Sequence, residues 1–252
     1  MKAVYVVCMM LLAGILLFST MSVFSYHKDA GENARENEEV IREVTQRMPE
    51  RDGNEAVTQQ IDSAKLKQIN ADAIGWIVFN DPYVNNPLVQ TRDNSYYLKH
   101  SFMKKENAAG SLFMDYRNES FDDRNVVIYG HNMLDRTMFG SLKDVFQEKF
   151  WEGSERDIIR VIDSEQHLRK YKIFSYYVVE KEDEYITTSF SDAAAFTGFL
   201  REITARSFRK LDVTVTAEDH ILTLSTCAGA AGMNKRRVIH AKLIEILPSL
   251  QS

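Results

Sequence analysis

Leu222-Thr223-Leu224-Ser225-Thr226-Cys227, then the small-residue connection 228–234, then Lys235-Arg236-Arg237-Val238-Ile239-His240-Ala241, reads as two neighbouring strands joined by a short loop. Successive side chains of a strand point to opposite faces. Thr223, Ser225 and Cys227 therefore share a polar face, with Leu222 and Leu224 opposite. On the returning strand Arg236, His240 and Lys242 share one parity, interrupted by Val238, while Arg237, Ile239, Ala241 and Leu243 share the other, more core-like one. Matching the polar faces sets Arg236 rather than Arg237 beside the Cys227 thiol.

Upstream of this hairpin the chain has the same character. Short runs rich in β-branched and aromatic residues, bounded by Asp, Asn and Gly, occur at 74–79, 110–116, 125–130, 158–162 and 170–179. Helical insertions are expected near 141–146 and 192–206. Many short strands at moderate spacing predict a closed barrel or sandwich with helical elaborations. Before residue 70 the pattern is helical. Val40, Ile41, Val44 and Met48 recur at helical spacing within the polar segment 29–54, and a second helix is expected over 55–69.

At the N-terminus no charge occurs from Ala3 to Phe24. About 20 apolar residues are needed to cross a bilayer as a helix, and this run exceeds the usual apolar region of a cleaved signal. It reads as an uncleaved anchor. The flanking charges, Lys2 on one side and His27 and Lys28 on the other, decide little about orientation.

The composition narrows the function classes. With 44% hydrophobic and 27% charged residues the chain is ordinarily globular. Its net charge of −5 and lack of a basic stripe exclude a nucleic-acid partner. Two cysteines, Cys8 and Cys227, supply no disulfide framework and no Cys-x-x-Cys metal or redox motif. His27, His100, His167 and His220 have no partners at metal-ligand spacing. No metal or cofactor is expected.

The chemistry centres on Cys227. A thiol attacks carbonyls as its thiolate, which a nearby cation favours. Far upstream, Tyr129-Gly130-His131-Asn132 ends another strand. A histidine can supply that cation or protonate a leaving amine. An arginine stays protonated, so it can only hold a carbonyl or stabilise an oxyanion. Cys227, His131 and Arg236 thus fill three separate roles in acyl transfer, with His240 a rival base on the returning strand.

These motifs resemble those of a known family. Thr223-Leu224-Ser225-Thr226-Cys227 looks like the Thr-Leu-x-Thr-Cys signature of sortases. The arginine that follows, with Val-Ile-His-Ala-Lys after it, resembles their arginine strand, and Val127 to Met133 resembles their histidine segment. Met138-Phe139-Gly140-Ser141-Leu142 and Asp93-Asn94-Ser95-Tyr96-Tyr97-Leu98 are similar to class B sortases in particular. The resemblance covers roughly residues 70–247. It implies a mostly β fold, a closed eight-stranded barrel with N-terminal helices and an inserted helix before the penultimate strand. It divides the chain into a membrane anchor (1–28), a helical extension (29–69) and a catalytic barrel (70–252).

It also implies a membrane-anchored transpeptidase with its catalytic domain outside the cell. Such an enzyme cleaves a C-terminal sorting signal resembling Asn-Pro-x-Thr-Asn on a secreted protein, after the Thr. The acyl group passes through a thioester on Cys227 to an amine of a peptidoglycan precursor or cross-bridge. Carried over by the same resemblance, Tyr129 and Ser225 flank the nucleophile and Asn94 and Leu98 line the signal groove. Tyr185 and Ile186 sit where a groove-lining helical segment begins. The loop Ala228-Gly229-Ala230-Ala231-Gly232 departs from the family in its small residues. Two other readings share the motifs: a cysteine hydrolase passing the acyl group to water, since both share the thioester, and an inactive binding domain on the same barrel.

Overall fold

The computed structural model describes residues 2–46, 60–80, 82–153, 155–180, 185–227 and 234–248, with Cys227 described by its backbone. One helix, α1 (Lys2–Val44), leads into the two-residue strands β1 (Thr45–Gln46) and β2 (Gln60–Ile61), which pair antiparallel. A short helix α2 (Ser63–Ile69) follows. The strands after it are β3 (Ala73–Phe79), β4 (Val84–Val89), β5 (Leu112–Met114), β6 (Asn125–Tyr129), β7 (Ile158–Asp163) and β8 (Leu168–Glu180). Helix α3 (Ala193–Ala205) then precedes β9 (Ile221–Cys227) and β10 (Lys235–Leu247).

The eight strands from β3 to β10 close into a barrel in the order β10-β8-β7-β3-β4-β5-β6-β9. Most neighbours are antiparallel, but β4 pairs with β5 and β6 with β9 in parallel. The interior is filled by alternate residues such as Val126 and Ile128 of β6, Leu222 and Leu224 of β9, and Ile239 and Ala241 of β10. The opposite parity is also buried along most of β9 and at Val238 and His240 of β10. Phe196, Phe199, Leu200 and Ile203 of α3 pack over it against Phe174, Tyr177 and Val238. Asp192 starts α3 by accepting the Ala195 N–H at 2.7 Å, satisfying one of the amides a helix N-terminus leaves without a partner.

α1 has two halves of different character. From Val4 to Phe24 it is exposed on all sides and apolar enough to cross a membrane. From Tyr26 onward one face lies against the barrel. Its contact residues, Tyr26, Ala30, Asn33, Val40 and Val44, recur three, four or seven apart, as one face of a 3.6-residue period requires. Asn33 Nδ2 donates to the Gly110 carbonyl (2.8 Å), and Asn107 Nδ2 to that of Asp29 (2.9 Å).

The helix expected over 29–54 is therefore the end of α1. It stops at Val44; residues 47–54 lie outside those described. The helix expected over 55–69 is shorter, because Gln60–Ile61 pairs as a strand and Asp62 caps α2 through the Lys65 N–H. β4 carries no strand signal in the sequence, since Asn85, Asn86 and Pro87 mask it. Pro87 is tolerated because β5 pairs only with Leu88 and Val89, leaving β4 unpartnered on that side at Pro87.

Candidate active site

β9 is flanked by β10 on one side and β6 on the other, and the two registers converge on one end of the barrel. Across the antiparallel pair, Arg236 stands opposite Cys227, Val238 opposite Ser225 and His240 opposite Thr223. Paired residues point to the same face, so Arg236 shares the face of Cys227, and Arg237, opposite Thr226, has the other. Burial disfavours the Arg237 charge. Across the parallel pair, Tyr129 stands opposite Ser225, and Gly130 N–H donates to the Ser225 carbonyl at 3.3 Å. The paired ladder ends there, with His131 two residues beyond Tyr129 and Cys227 two residues beyond Ser225. Neighbouring strands lie about 4.8 Å apart, so Cys227 and Arg236 are cross-strand neighbours, and His131 follows the end of the strand on the other side of β9. The small-residue loop 228–233 lies outside the described residues.

The histidine side is built tightly. A Cβ on Gly130 would run into Leu112 Cδ2 and lie 2.8 Å from the Phe139 ring, so any side chain there would force these buried groups to shift. The loop beyond it folds back at once: Phe139 N–H donates to the His131 carbonyl at 2.9 Å. Arg136 (φ 74°) and Met138 (φ 50°) adopt the left-handed backbone that non-glycine residues rarely take. His131 Nε2 lies 2.7 Å from the Leu98 carbonyl. A carbonyl only accepts, so Nε2 carries a proton, and in the neutral ring Nδ1 is the acceptor. The turn presenting that carbonyl is fixed in turn. Asp93 accepts the N–H groups of Ser95 and Tyr96, and buried Tyr97 accepts from Asn70 Nδ2 (2.8 Å) and donates to Asp72 (2.9 Å).

Behind the strand ends lies a polar network that sequence reading missed. The fully buried Asp115 carboxylate accepts from Arg117 through backbone N–H, Nε and Nη2, from Asn94 Nδ2 at 3.0 Å and from the Tyr129 hydroxyl at 2.8 Å. Burial alone raises its pKa, but Arg117 and Tyr129 outweigh it and hold the carboxyl below its ordinary value. Burial and the Asp115 charge push the Tyr129 phenol well up. Arg117 Nη2 also reaches the Ile186 carbonyl at 3.2 Å, and Tyr185 and Ser225 share a hydroxyl hydrogen bond of 3.1 Å.

All six residues singled out around the nucleophile from sequence thus meet in one place. Asn94, Tyr129 and Ile186 join through Asp115 and Arg117, Tyr185 joins Ser225, and Leu98 holds His131. One expectation of local form fails: Tyr185 and Ile186 begin no helix. The chain is irregular from Tyr185 to Phe190, pinned by the Ile186 and Thr187 carbonyls, and α3 starts only at Ala193. The only sequence hint of Asp115 is that it is the lone charge in the strand-like run 110–116, directly after the apolar Leu112-Phe113-Met114.

His240 sits apart from the strand ends and is fully buried. Thr223 donates its hydroxyl to Asn125 Oδ1 (2.6 Å), so it accepts from His240 Nδ1 (2.8 Å), which leaves Nε2 to accept from the Tyr177 hydroxyl (2.8 Å). Burial, with Arg206 nearby, lowers its pKa to about 3. It is a neutral structural residue, with both ring nitrogens engaged. Among the described residues no cluster of His, Cys, Asp and Glu is arranged to hold a metal ion.

A closed eight-stranded barrel with a cysteine and an arginine paired across two strands, and a histidine just past the end of a third, is a frame suited to cysteine acyl transfer. The Sortase domain family matches residues 84–244, and the chain belongs to that family. It is a class B sortase, a cysteine transpeptidase. It is 34% identical over 245 residues to sortase B of Staphylococcus aureus, covering 96% of each chain, and 35% identical over 183 residues to sortase B of Listeria monocytogenes, covering 71% of this chain and 72% of that one. The crystal structure of sortase B from Bacillus anthracis in complex with AAEK1 superposes with a TM-score of 0.73 at 36% identity, covering 87% of this chain and 99% of that one.

Proposed function

We propose that this sortase cleaves a C-terminal sorting signal of the Asn-Pro-x-Thr-Asn type on secreted proteins, between the Thr and the next residue, and transfers the Thr carbonyl to an amine of a peptidoglycan precursor or cross-bridge. The observation that supports this most directly is the double register of β9, which pairs Cys227 with Arg236 on one side and Ser225 with Tyr129, two residues before His131, on the other.

In this reading the Cys227 thiolate attacks the Thr carbonyl. Arg236 holds the carbonyl oxygen as it gains charge. His131 gives a proton to the leaving amine, the peptide bond breaks, and a thioester remains on Cys227. The acceptor amine loses a proton to His131, attacks the thioester and expels the thiolate. Asn94, Leu98, Tyr129, Tyr185, Ile186 and Ser225 line or support the signal groove, with Asp115 and Arg117 behind them. Residues 1–28 form a single-pass anchor, 29–69 a helical extension and 70–252 the catalytic barrel, held outside the cell.

The test is incubation of the protein with an Asn-Pro-Gln-Thr-Asn peptide, with and without an amine acceptor, followed by mass spectrometry of the products and of Cys227. A Thr-acyl adduct on Cys227 and an amine-dependent ligated product are expected. Cleavage that ignores the amine would identify a hydrolase, and absence of both cleavage and adduct would identify a binding domain.

A further inference from the structure

We propose that the loop 131–140, which carries His131 at its start, docks on the surface of the lipid bilayer, with Leu134 as the residue that enters it. This rests on reading the exposed apolar half of α1 as a membrane anchor. The inference comes from how α1 and the barrel are joined. A single helix runs from the apolar segment into the barrel contact, so no linker separates the two. The first residue of α1 to touch the barrel is Tyr26, two positions past the apolar run. Its hydroxyl accepts the Leu134 N–H at 2.9 Å and lies 3.6 Å from Met133 Sδ.

A long side chain on a helix leans back over the turn N-terminal to its own Cα. The Tyr26 hydroxyl, and Leu134 with it, therefore sits at the height where the apolar run ends. Tyrosine, with an apolar ring and a polar tip, is enriched at that interface. Leu134 is 76% exposed, although its neighbour Met133 is buried. The carboxylate of the next residue, Asp135, is held by the Thr137 N–H (3.1 Å) and hydroxyl (2.6 Å), which leaves Leu134 as the apolar tip of the loop. The exposed leucine is tied through Tyr26 to the end of the exposed apolar run, and lipid, which would cover that run, is the occupant that would reach it. Contacts up the helix at Asp29, Asn33 and Glu36 keep the barrel from swinging away. The rim of the site that His131 occupies thus lies against the bilayer.

The experiment uses the full chain in vesicles, in a Cys8→Ser, Cys227→Ala background, with a polarity-sensitive fluorophore on a single introduced cysteine. Three positions are compared: Leu134→Cys, Gln68→Cys in α2, which packs near the far end of the α1 contact about 27 Å along the helix, and Phe18→Cys within the apolar run. Brominated acyl chains quench a label that enters the bilayer. Labels at 18 and 134 are expected to shift blue and lose emission with brominated lipid, and the label at 68 to do neither. Adding Tyr26→Phe, which removes the latch, should reduce quenching at 134 and leave it unchanged at 18. Quenching at 18 with water-like emission at 134 would overturn the docking while sparing the anchor. No quenching at 18 would overturn the anchor reading itself, and the docking with it. A blue shift at 134 without lipid quenching would mean that protein covers Leu134, which also refutes the proposal.

Discussion

Replacing Asp115 by Asn tests whether the buried carboxylate organises the site. Its two oxygens accept five hydrogen bonds, three from Arg117 and one each from Asn94 and Tyr129. An amide has the same shape but turns an NH2 group toward donors and removes the charge that faces Arg117. Losing one partner of a buried ion pair costs about 3–5 kcal/mol. The Arg117 side chain is 40% exposed and can rehydrate, which favours the lower end, about 3 kcal/mol. For a chain of this size each kcal/mol shifts Tm by about 2–4 °C, so a fall of about 6–12 °C is expected in a thermal melt. Tyr129→Phe removes one bond of the five and should cost about 1.5 kcal/mol. Because Arg117 also holds the Ile186 carbonyl, Asp115→Asn should raise KM for the signal peptide more than it lowers kcat. A Tm within about 2 °C of the wild type, with kcat/KM unchanged, would refute the role of Asp115 as the tie between β6, the Asn94 turn and the 185–187 segment.

The register of β9 and β10 predicts that Arg236→Ala lowers kcat/KM by about 10²–10³, the cost of removing one oxyanion donor, while Arg237→Ala changes it only a few-fold; the reverse order would refute the assignment. His131→Ala should slow alkylation of Cys227 by iodoacetamide relative to the wild type, and equal rates would exclude a Cys-His pair. His240 supplies a pH signature. Its folded value of about 3 lies below the unfolded value of about 6.5, so the unfolded chain binds the proton first as pH falls. Its contribution to stability is complete above about pH 6.5 and is lost toward pH 3, at up to about 1.4 kcal/mol per pH unit. Urea melts at pH 7.5 and 5 should show the wild type losing about 2 kcal/mol more than His240→Gln; equal losses would mean His240 is not held neutral.

Much of the barrel was legible because its strands follow a two-residue period. The parity of Thr223, Ser225 and Cys227 against Arg236 and His240 gave the pairing that the register shows. The same parity was misleading about environment. A polar face suggests water, yet Thr223 and Ser225 are buried, satisfied by Asn125, His240 and Tyr185. Alternation reports which residues share a face and says nothing of what covers it. Asp115 and Arg117 stayed hidden because a carboxylate and a guanidinium two residues apart look like solvated charge, and their partners Asn94, Tyr129 and Ile186 are distant in sequence. β4 stayed hidden behind Pro87, whose tolerance depends on where β5 begins to pair.

The parallel pairing of β6 with β9 has a kinetic consequence. Tyr129 and Ser225, neighbours across that ladder, are separated by 96 positions of chain. Closing so long a loop is entropically uphill until the intervening strands are in place, and contacts of high sequence separation make folding slow. The β9–β10 hairpin can form early and locally, already pairing Cys227 with Arg236. Its histidine arrives only when that long-range ladder zips. A chain still searching for its fold therefore carries Cys227 before β6 and His131 are in place, and under the proposed mechanism chemical competence is a late reporter of the native topology.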